Sequence, residues 1–437
     1  MLTIAICGAG PVGLTLARLL LQSSTSAQIE VTLFEKDASS ASRRSLGGTL
    51  DLHPPTGLAA MRKMNLWDAF KRYARFEGEE LRVCDQNGTV YIHQIDAPQI
   101  EGFEARPEID RVRLMEILLE AVPAELIKWG KAVAEVCDLD GGRGLRFADG
   151  TEEGPFDLIV GADGAWSKVR SQLTDVKPAY SGICGISGTI TAESAGEHWH
   201  QIEGMVGRGT TFALSYRRGM TGQRLGDNTI KPAFYQRREL DWFETIKEKH
   251  GKDQDALKKT LLEEYKEWVP EFQSWITAAK DLWCMALWEL PVGQRFEHKT
   301  GLTLIGDSAH LMTPFAGEGV NAGMRDALDL SAAIEKALEE KSDIDTAVKE
   351  FEESMFVRMA EFMQKTLINK NGMYADDAPY TFFTGMLGVV AEEMHYDLEK
   401  GWLSWLPIKS TAYGVLWSMG TFGAVRRRVT DLMRSKK

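Results

Sequence analysis

The N-terminal stretch restricts the fold of this chain more than any other. Leu2-Thr3-Ile4-Ala5-Ile6-Cys7 is an apolar run of strand length, and Gly8-Ala9-Gly10-Pro11-Val12-Gly13 follows at once. Leu14, Leu16, Ala17, Leu20 and Leu21 then repeat with helical spacing. This is G-x-G-x-x-G in a strand–turn–helix setting, where Gly8, Gly10 and Gly13 permit a tight turn and close approach of a pyrophosphate to a helix N-terminus. A second apolar run, Ile29 to Phe34, ends in Glu35. That position, about 20 residues beyond the last glycine, is where an acidic side chain meets ribose hydroxyls. The pattern predicts a βαβ unit that binds a dinucleotide.

Two later loops match it. Leu302-Thr303-Leu304-Ile305 reads as a short strand, and Gly306-Asp307 follows it. A carboxylate there stands at a strand's carboxyl edge and can accept hydrogen bonds from sugar-like hydroxyls. The small-residue segment Pro314 to Gly323 then offers backbone N–H groups at a helix start. Phe156 to Val160 likewise runs into Gly161-Ala162-Asp163-Gly164. In open α/β sheets ligands bind at this edge, so three separated stretches are expected to build one cofactor domain.

Composition sets outer limits. A chain of 437 residues can hold two or three domains. Its net charge of −12, with no long basic stripe, disfavours nucleic acid as a partner. Cys7, Cys84, Cys137, Cys184 and Cys284 are scattered without C-x-x-C spacing, which suits reduced thiols. No metal-ligand cluster is expected. His198 and His200, with Trp199 between them, suit one face of a strand, but further ligands are missing. The apolar N-terminus is a poor secretion signal: no basic residue precedes it, glycines interrupt it, and Arg18 falls within it. A cytoplasmic protein is expected. Residues 402–428 combine Trp402, Trp405, Trp417 and Phe422 with Arg426-Arg427-Arg428. The uncharged run from Ser410 to Val425 falls short of the about 20 residues a spanning helix needs. It suits a helix packed on the body of the protein, or a peripheral membrane contact.

The expected architecture is α/β. A split Rossmann-type domain (1–75, 104–177 and 285–340) carries an inserted, mainly antiparallel substrate domain (76–103 and 178–284), with a C-terminal helical segment at 341–437. Residues 80–93 predict a hairpin around Asn87-Gly88. Residues 57–73 and 109–121 predict helices. Alternation at 183–216 predicts strands, and 240–280 is helical and charged. A substrate pocket is expected between domains.

These three motifs, in this order, resemble the group A flavoprotein monooxygenases, the para-hydroxybenzoate hydroxylase fold class. Gly47-Gly48-Thr49-Leu50-Asp51-Leu52-His53, Pro107-Glu108-Ile109-Asp110-Arg111 and the 309–321 segment are most similar to the tetracycline-inactivating monooxygenases. The resemblance covers about residues 1–370. It implies tight, non-covalent FAD, transient NADPH or NADH, O2 as co-substrate and a small-molecule substrate. It also implies a flavin C4a-hydroperoxide, so no acid–base dyad is required and none is found. A single dinucleotide fingerprint leaves no second domain for the nicotinamide cofactor. A monomer is expected.

The resemblance also assigns roles. Glu35 would bind adenosine ribose; Gly8, Gly10 and Gly13 would line the pyrophosphate. Arg44 would lie in the mobile loop near the flavin, and Asp51 near its ring. Arg111 would bind the phosphate and ribityl portion, and Asp307 the ribityl chain. Pro314, Gly317, Gly319 and Asn321 would surround the ring. Asp163 would stabilise the loop between domains and help gate NADPH use. Plainer readings stand beside these: Arg43 and Arg44 as a solvated pair, Asp51 as an Asx-turn residue before Pro54-Pro55, Asp163 as a helix cap, and His310 as a packing histidine.

For the substrate, Arg208 stands as a counterpart of the family's pocket arginine. Phe212, Tyr216, Phe234 and Phe315 suit a flat polycyclic ligand and equally suit core packing. The expected reaction hydroxylates or epoxidises an electron-rich polycyclic or aromatic molecule, in natural-product tailoring or tetracycline-type inactivation. A Gln that the family places near Ser187 is absent, which favours a scaffold other than tetracycline. One rival is a flavin-dependent halogenase, whose mid-chain W-x-W-x-I-P motif has only a displaced imitation at Trp402 to Pro407. The other is a flavin protein that sequesters ligands without turnover.

Overall fold

A computed structural model describes residues 1–43, 47–95 and 105–384. The chain forms two compact units among these residues. The first takes Met1–Phe76, the described part of Glu104–Ser181, and Trp288–Thr366. The second takes the described parts of Glu77–Phe103, Gly182–Leu287 and Leu367–Lys437. Residues 341–366, expected in a separate C-terminal segment, therefore lie in the first unit.

The first unit is built on a five-stranded parallel sheet in the order Leu302–Leu304, Leu158–Gly161, Leu2–Cys7, Ile29–Glu35, Ile127–Trp129. Parallel strands covered on both faces read as apolar runs rather than alternating ones, as Leu158–Gly161 does with every residue buried. Helix Pro11–Gln22 starts on a proline, which has no N–H to leave unpaired, and buries Leu14, Leu16, Ala17, Leu19 and Leu20. Register sets Cys7 beside both Gly161 and Phe34, and Gly161 beside Leu304. All three motif loops thus leave the sheet at one edge. Helix Gly319–Glu340 lies against the first helix so closely that a Cβ on Gly323 would stand 2.4 Å from Val12 Cγ2.

The second unit holds a seven-stranded sheet in the order Lys280–Glu289, Ala179–Thr189, Ile230–Arg237, Arg218–Arg224, Thr210–Ser215, Leu81–Asp85, Val90–Gln94. From Ala179–Thr189 through Thr210–Ser215 neighbouring strands pair antiparallel, Thr210–Ser215 pairs parallel with Leu81–Asp85, and Leu81–Asp85 pairs antiparallel with Val90–Gln94. Register aligns Ile186, Phe234, Met220, Ala213 and Cys84 in one row across five strands. Residues directly opposite share a face. This row enters a core with Leu257, Leu261, Tyr265, Phe272 and Trp275 from the helices of 254–278.

Several elements differ from the sequence reading. The helix expected over 57–73 is broken into a wide turn at Pro54–Leu58 and helices Ala59–Lys63 and Trp67–Lys71. Asn65 takes a left-handed φ of 58° between the last two, a conformation Asn tolerates at helix ends. The alternation expected over 183–216 is interrupted by helices Ala192–Ala195 and Trp199–Val206. Thr191 and Ser194 form a capping box at the first of these. His198 and His200 therefore sit at a helix start, not on a strand, and both are exposed. Among the described residues no helix is long and apolar enough to cross a membrane. Residues 402–428 lie outside the described residues.

One glycine tests the convergence of the loops. Gly8 has φ +107°, and a Cβ there would stand 2.3 Å from the Ala162 carbonyl oxygen. Gly8→Ala is expected to cost about 3 kcal/mol through strain and backbone displacement. Urea unfolding checks this, and an unchanged midpoint would contradict the packing.

Candidate active site

The glycine turn is held from below by Glu35. Its carboxylate accepts from the Ala9 N–H at 2.8 Å and from the Asp37 N–H at 3.1 Å. The Gly8 N–H donates to the Phe34 carbonyl at 2.7 Å. The end of the second strand and the turn are thereby one rigid piece. Gly13 is required for the same reason, since a Cβ there would lie 2.0 Å from the Gly8 carbonyl oxygen. Gly10 behaves differently: a Cβ there would meet nothing within 4 Å.

The other two loops are tied to each other. Asp163 accepts from the Lys168 N–H at 2.8 Å and from the Ser308 hydroxyl at 3.2 Å. Residues 165–166 and 168–169 form turns and the short helix Arg170–Gln172 is capped by Val169, so Asp163 closes a turn and does not cap a helix. Ser308 Oγ accepts from the Gly164 N–H at 3.0 Å. Buried Arg170 donates to the Ser308 and Ala165 carbonyls at 3.1 and 2.6 Å. Cys7 lies close enough to feel the Asp163 charge; burial first, and that carboxylate second, push its thiol pKa up, so it stays protonated.

Asp307 begins the short helix Asp307–His310 directly after Gly306, whose φ is +62°. Its side chain keeps accessible surface while protein surrounds it on the other sides. That enclosure raises its pKa above the ordinary aspartate value, against the opposing charges of His310 and Arg111. Arg111 itself is exposed, and its N–H donates to the Gly48 carbonyl at 3.1 Å. The structure therefore brings Asp307 and Arg111, some two hundred residues apart in sequence, within electrostatic reach of each other.

Beneath Asp307 lies a charged network that sequence reasoning missed. Asp326 is fully buried and accepts from the Gly306 N–H at 2.9 Å, pairs with His310 Nε2 at 2.5 Å, and accepts from Arg358 at 2.7 Å. Burial alone would raise its pKa; His310 and Arg358 instead hold it below the ordinary value. His310 thus packs and pairs within the protein. A second clamp is Asn321, also fully buried. Its Oδ1 accepts from the His53 N–H at 2.8 Å and the Thr56 hydroxyl at 3.3 Å. Its Nδ2 donates to the Asp51 and Gly317 carbonyls at 2.8 and 3.2 Å. All four hydrogen-bonding positions of the amide are used within the protein, so Asn321 shapes the Gly317 turn rather than reaching out from it. Asp51 pairs with His53 Nε2 at 2.8 Å, and Gly317 is left-handed with φ +68°. A Cβ on Gly319, at the start of the long helix, would again meet nothing within 4 Å.

These features fit FAD. Two helix starts, Pro11–Gln22 and Gly319–Glu340, have a glycine whose missing side chain leaves space rather than relieving a clash. Backbone can approach a bound phosphate or ring at such points. Asp307 is an accessible carboxylate of the same unit. A model of the FAD binding domain family matches residues 1–354. The chain belongs to this family.

Comparison with individual proteins agrees. Monooxygenase asqM of Emericella nidulans is 33% identical over 385 residues, 76% of this chain and 84% of asqM. The fold is shared with HpxO of Klebsiella pneumoniae complexed with FAD and uric acid, at TM-score 0.71, 20% identity, and 90% and 93% coverage of the two chains. It is also shared with tetracycline destructase Tet(51), at TM-score 0.64, 16% identity, and 90% and 96% coverage. Family and relatives together make the protein an FAD-dependent monooxygenase.

The residues foreseen for substrate are spread widely. Arg208 in the second unit is 50% exposed at its side chain, with Nε 3.5 Å from Glu80 Oε2, and its N–H donates to that oxygen at 2.7 Å. Phe234 is fully buried and packs edge-on against Tyr265 with centroids 6.1 Å apart, a core position. Phe212 aligns with Val83, Thr221, Ala233 and Ser187, on the opposite face of the sheet from Phe234. Tyr216 is 59% exposed in the turn after that strand. Phe315 is buried in the first unit, in the turn Pro314–Ala316. Arg44 lies outside the described residues.

The Asp326 network yields a stability prediction with a defined sign. Asp326→Asn leaves His310 without its buried counter-charge and Arg358 with Asp329 alone, and is expected to cost about 3 kcal/mol at pH 7. The folded pKa of Asp326 lies below its unfolded value. Its stabilisation is therefore fully present above the ordinary value of about 3.9 and is lost as pH falls through the folded one. Urea unfolding at several pH values checks this: the gap between wild type and variant should close in acid. A gap that stays constant with pH would contradict the pairing.

Proposed function

We propose that this monooxygenase consumes NAD(P)H to hydroxylate or epoxidise an electron-rich polycyclic or aromatic small molecule. The observation that carries the reading is the convergence of three glycine-bordered loops at one sheet edge, with Asp307 as their accessible carboxylate. Bound FAD would supply the electron transfer and oxygen activation that side chains cannot. The chain's own residues would then hold, orient and shield. Glu35 would fix the turn whose N–H groups, with Gly10 open beside them, face the pyrophosphate. Asp307 would accept from ribityl hydroxyls, and Arg111 would balance phosphate charge. Pro314, Gly317 and Gly319 would border the ring, held in shape by Asn321. Asp163 would keep the 161–168 loop closed on Ser308.

For the substrate, the sheet face that carries Phe212, Val83 and Thr221 is apolar and aromatic in character, with Phe212 partly accessible and Val83 and Thr221 buried. HpxO, solved with uric acid, and the tetracycline destructase support a flat ring system as the ligand class. The motif resemblance at 47–53 and 107–111 supports the same class. Tailoring of a natural product is the role that fits both, and tetracycline belongs among the compounds to test.

A panel of flat aromatic and polycyclic compounds, tetracycline included, tests this directly. NADPH and NADH consumption should rise with the true substrate, and the product should be one oxygen atom heavier, with the label drawn from isotopically labelled O2. Nucleotide consumption that yields hydrogen peroxide alone across the whole panel would contradict the proposal.

A further inference from the structure

The first unit contains a chain of titratable groups to which the proposed chemistry gives no task. Asp51 ends the strand Thr49–Asp51, and His53 follows two residues later. His53 is buried, with Nε2 2.8 Å from Asp51 Oδ2 and Nδ1 3.2 Å from Glu318 Oε2. Glu318 is buried too, and its other oxygen lies 3.1 Å from Lys365 Nζ. Only Asp51 is open on the site side: its side chain is 42% exposed, and the missing side chain of Gly317 would stand 3.2 Å from Asp51 Oδ1. The arrangement is a buried imidazole between two carboxylates. One carboxylate faces the turn that borders the proposed ring, and the other is neutralised by an ammonium.

We propose that His53 is the proton reserve of this site, delivering its Nε2 proton through Asp51. The inference rests on the flavin reading above. The need for a proton follows from stoichiometry. Reoxidation of the two-electron-reduced flavin anion by O2 to oxidised flavin and hydrogen peroxide consumes one proton from outside the flavin. In the delivery step the Nε2–H bond of the imidazolium breaks and an O–H bond forms on Asp51 Oδ2. Imidazolium and carboxylate become imidazole and carboxylic acid, so net charge is unchanged. The Asp51 O–H bond then breaks as its proton passes to the departing hydroperoxide anion, which leaves as hydrogen peroxide, and Asp51 returns to carboxylate. The imidazole keeps its Nδ1–H on Glu318, which leaves Nε2 as the acceptor for the next proton. Solvent restores that proton through the half-exposed Asp51. His53 is accordingly a positioning residue that acts through Asp51.

The charges around His53 favour the stored proton. Burial pulls its pKa down, but Asp51 and Glu318 outweigh burial and raise it to about 8. His53 and Lys365 in turn hold Glu318 below its ordinary value despite its burial. From the helix Gly319–Glu340 the neutral Asn321 meets the His53 backbone. Arg325 on that helix is engaged by Asp329 at 2.8 Å and the Pro55 carbonyl at 2.9 Å. The reserve is full at neutral pH and empties as pH rises through about 8.

The test uses FAD-loaded full-length protein, photoreduced without nucleotide and mixed with oxygenated buffer across a pH series. Wild-type reoxidation should slow as pH rises through about 8. Asp51→Asn and His53→Gln should each slow it about 100-fold at neutral pH, the usual scale for a lost positioned proton donor, and abolish the alkaline limb. Glu318→Gln, which preserves shape but removes a counter-charge, should retain FAD and move that limb to lower pH. Ring-nitrogen NMR of wild-type histidines gives an independent readout that needs no variant to fold: one imidazole should titrate near 8 and move with the Glu318 substitution. Wild-type rates and pH profiles in the Asp51 and His53 variants, or a His53 that titrates at its ordinary value, would overturn the proposal. Wild-type protein that binds no FAD would overturn the flavin reading and the inference together, whereas FAD-bound protein with the other negative results overturns the inference alone.

Discussion

The first unit depends on the buried carboxylate of Asp326. A charge with no exposure is tolerated only where hydrogen bonds and counter-charges replace water. Here the replacements come from three places: the N–H of Gly306, the ring of His310 and the guanidinium of Arg358. Each ties a different piece of chain. The Gly306 contact fixes the turn out of the strand Leu302–Leu304, and that turn sets the direction of Asp307. The Arg358 contact binds helix Ile344–Met373 to helix Gly319–Glu340. One buried charge thereby orients the accessible carboxylate above it and recruits the helix behind it. Asn321 does for the Gly317 turn, with a neutral amide, what Asp326 does for the Gly306 turn.

The same economy of parts explains the glycines. Gly8, Gly13 and Gly323 are small because protein is already there: backbone in the first two cases and Val12 in the third. Gly10 and Gly319 are small for the opposite reason, because nothing of the protein occupies the position. Motif glycines of one sequence pattern thus divide into those that let the chain pack and those that keep a space. The division falls where a phosphate and a ring would need backbone within reach, and it gives a physical reading of a fingerprint otherwise known by spelling.

Much of the cofactor half is legible in the sequence. Leu2–Cys7, the glycine turn and Glu35 carry their structure locally, through an apolar run, a turn and a strand end close together in sequence. The Asp163 and Asp307 loops were legible for the same reason. What could not be read was every contact that joins distant segments. Arg358 meets Asp326 across 32 residues, and Asn321 reaches His53 across 268. Periodicity marks alternate residues of a strand as sharing a face but does not say which face is covered. Phe212 and Phe234 therefore looked alike until register placed Phe234 in the core row and Phe212 on the opposite side. The pair His198 and His200 failed similarly: an i, i+2 spacing suits a strand, but the capping box at Thr191 had already turned the chain into helices. His53 and Glu318 were passed over because neither residue carries a motif alone.

If FAD is held at the Gly306–Asp307 turn, the Asp307 carboxylate sets much of its affinity. Titration of cofactor-free protein with FAD, for wild type and Asp307→Ala, tests it most directly. Removal of a carboxylate that accepts hydroxyl hydrogen bonds should weaken binding about 100-fold, with folding intact by circular dichroism. Equal FAD affinity in the two proteins would contradict the account.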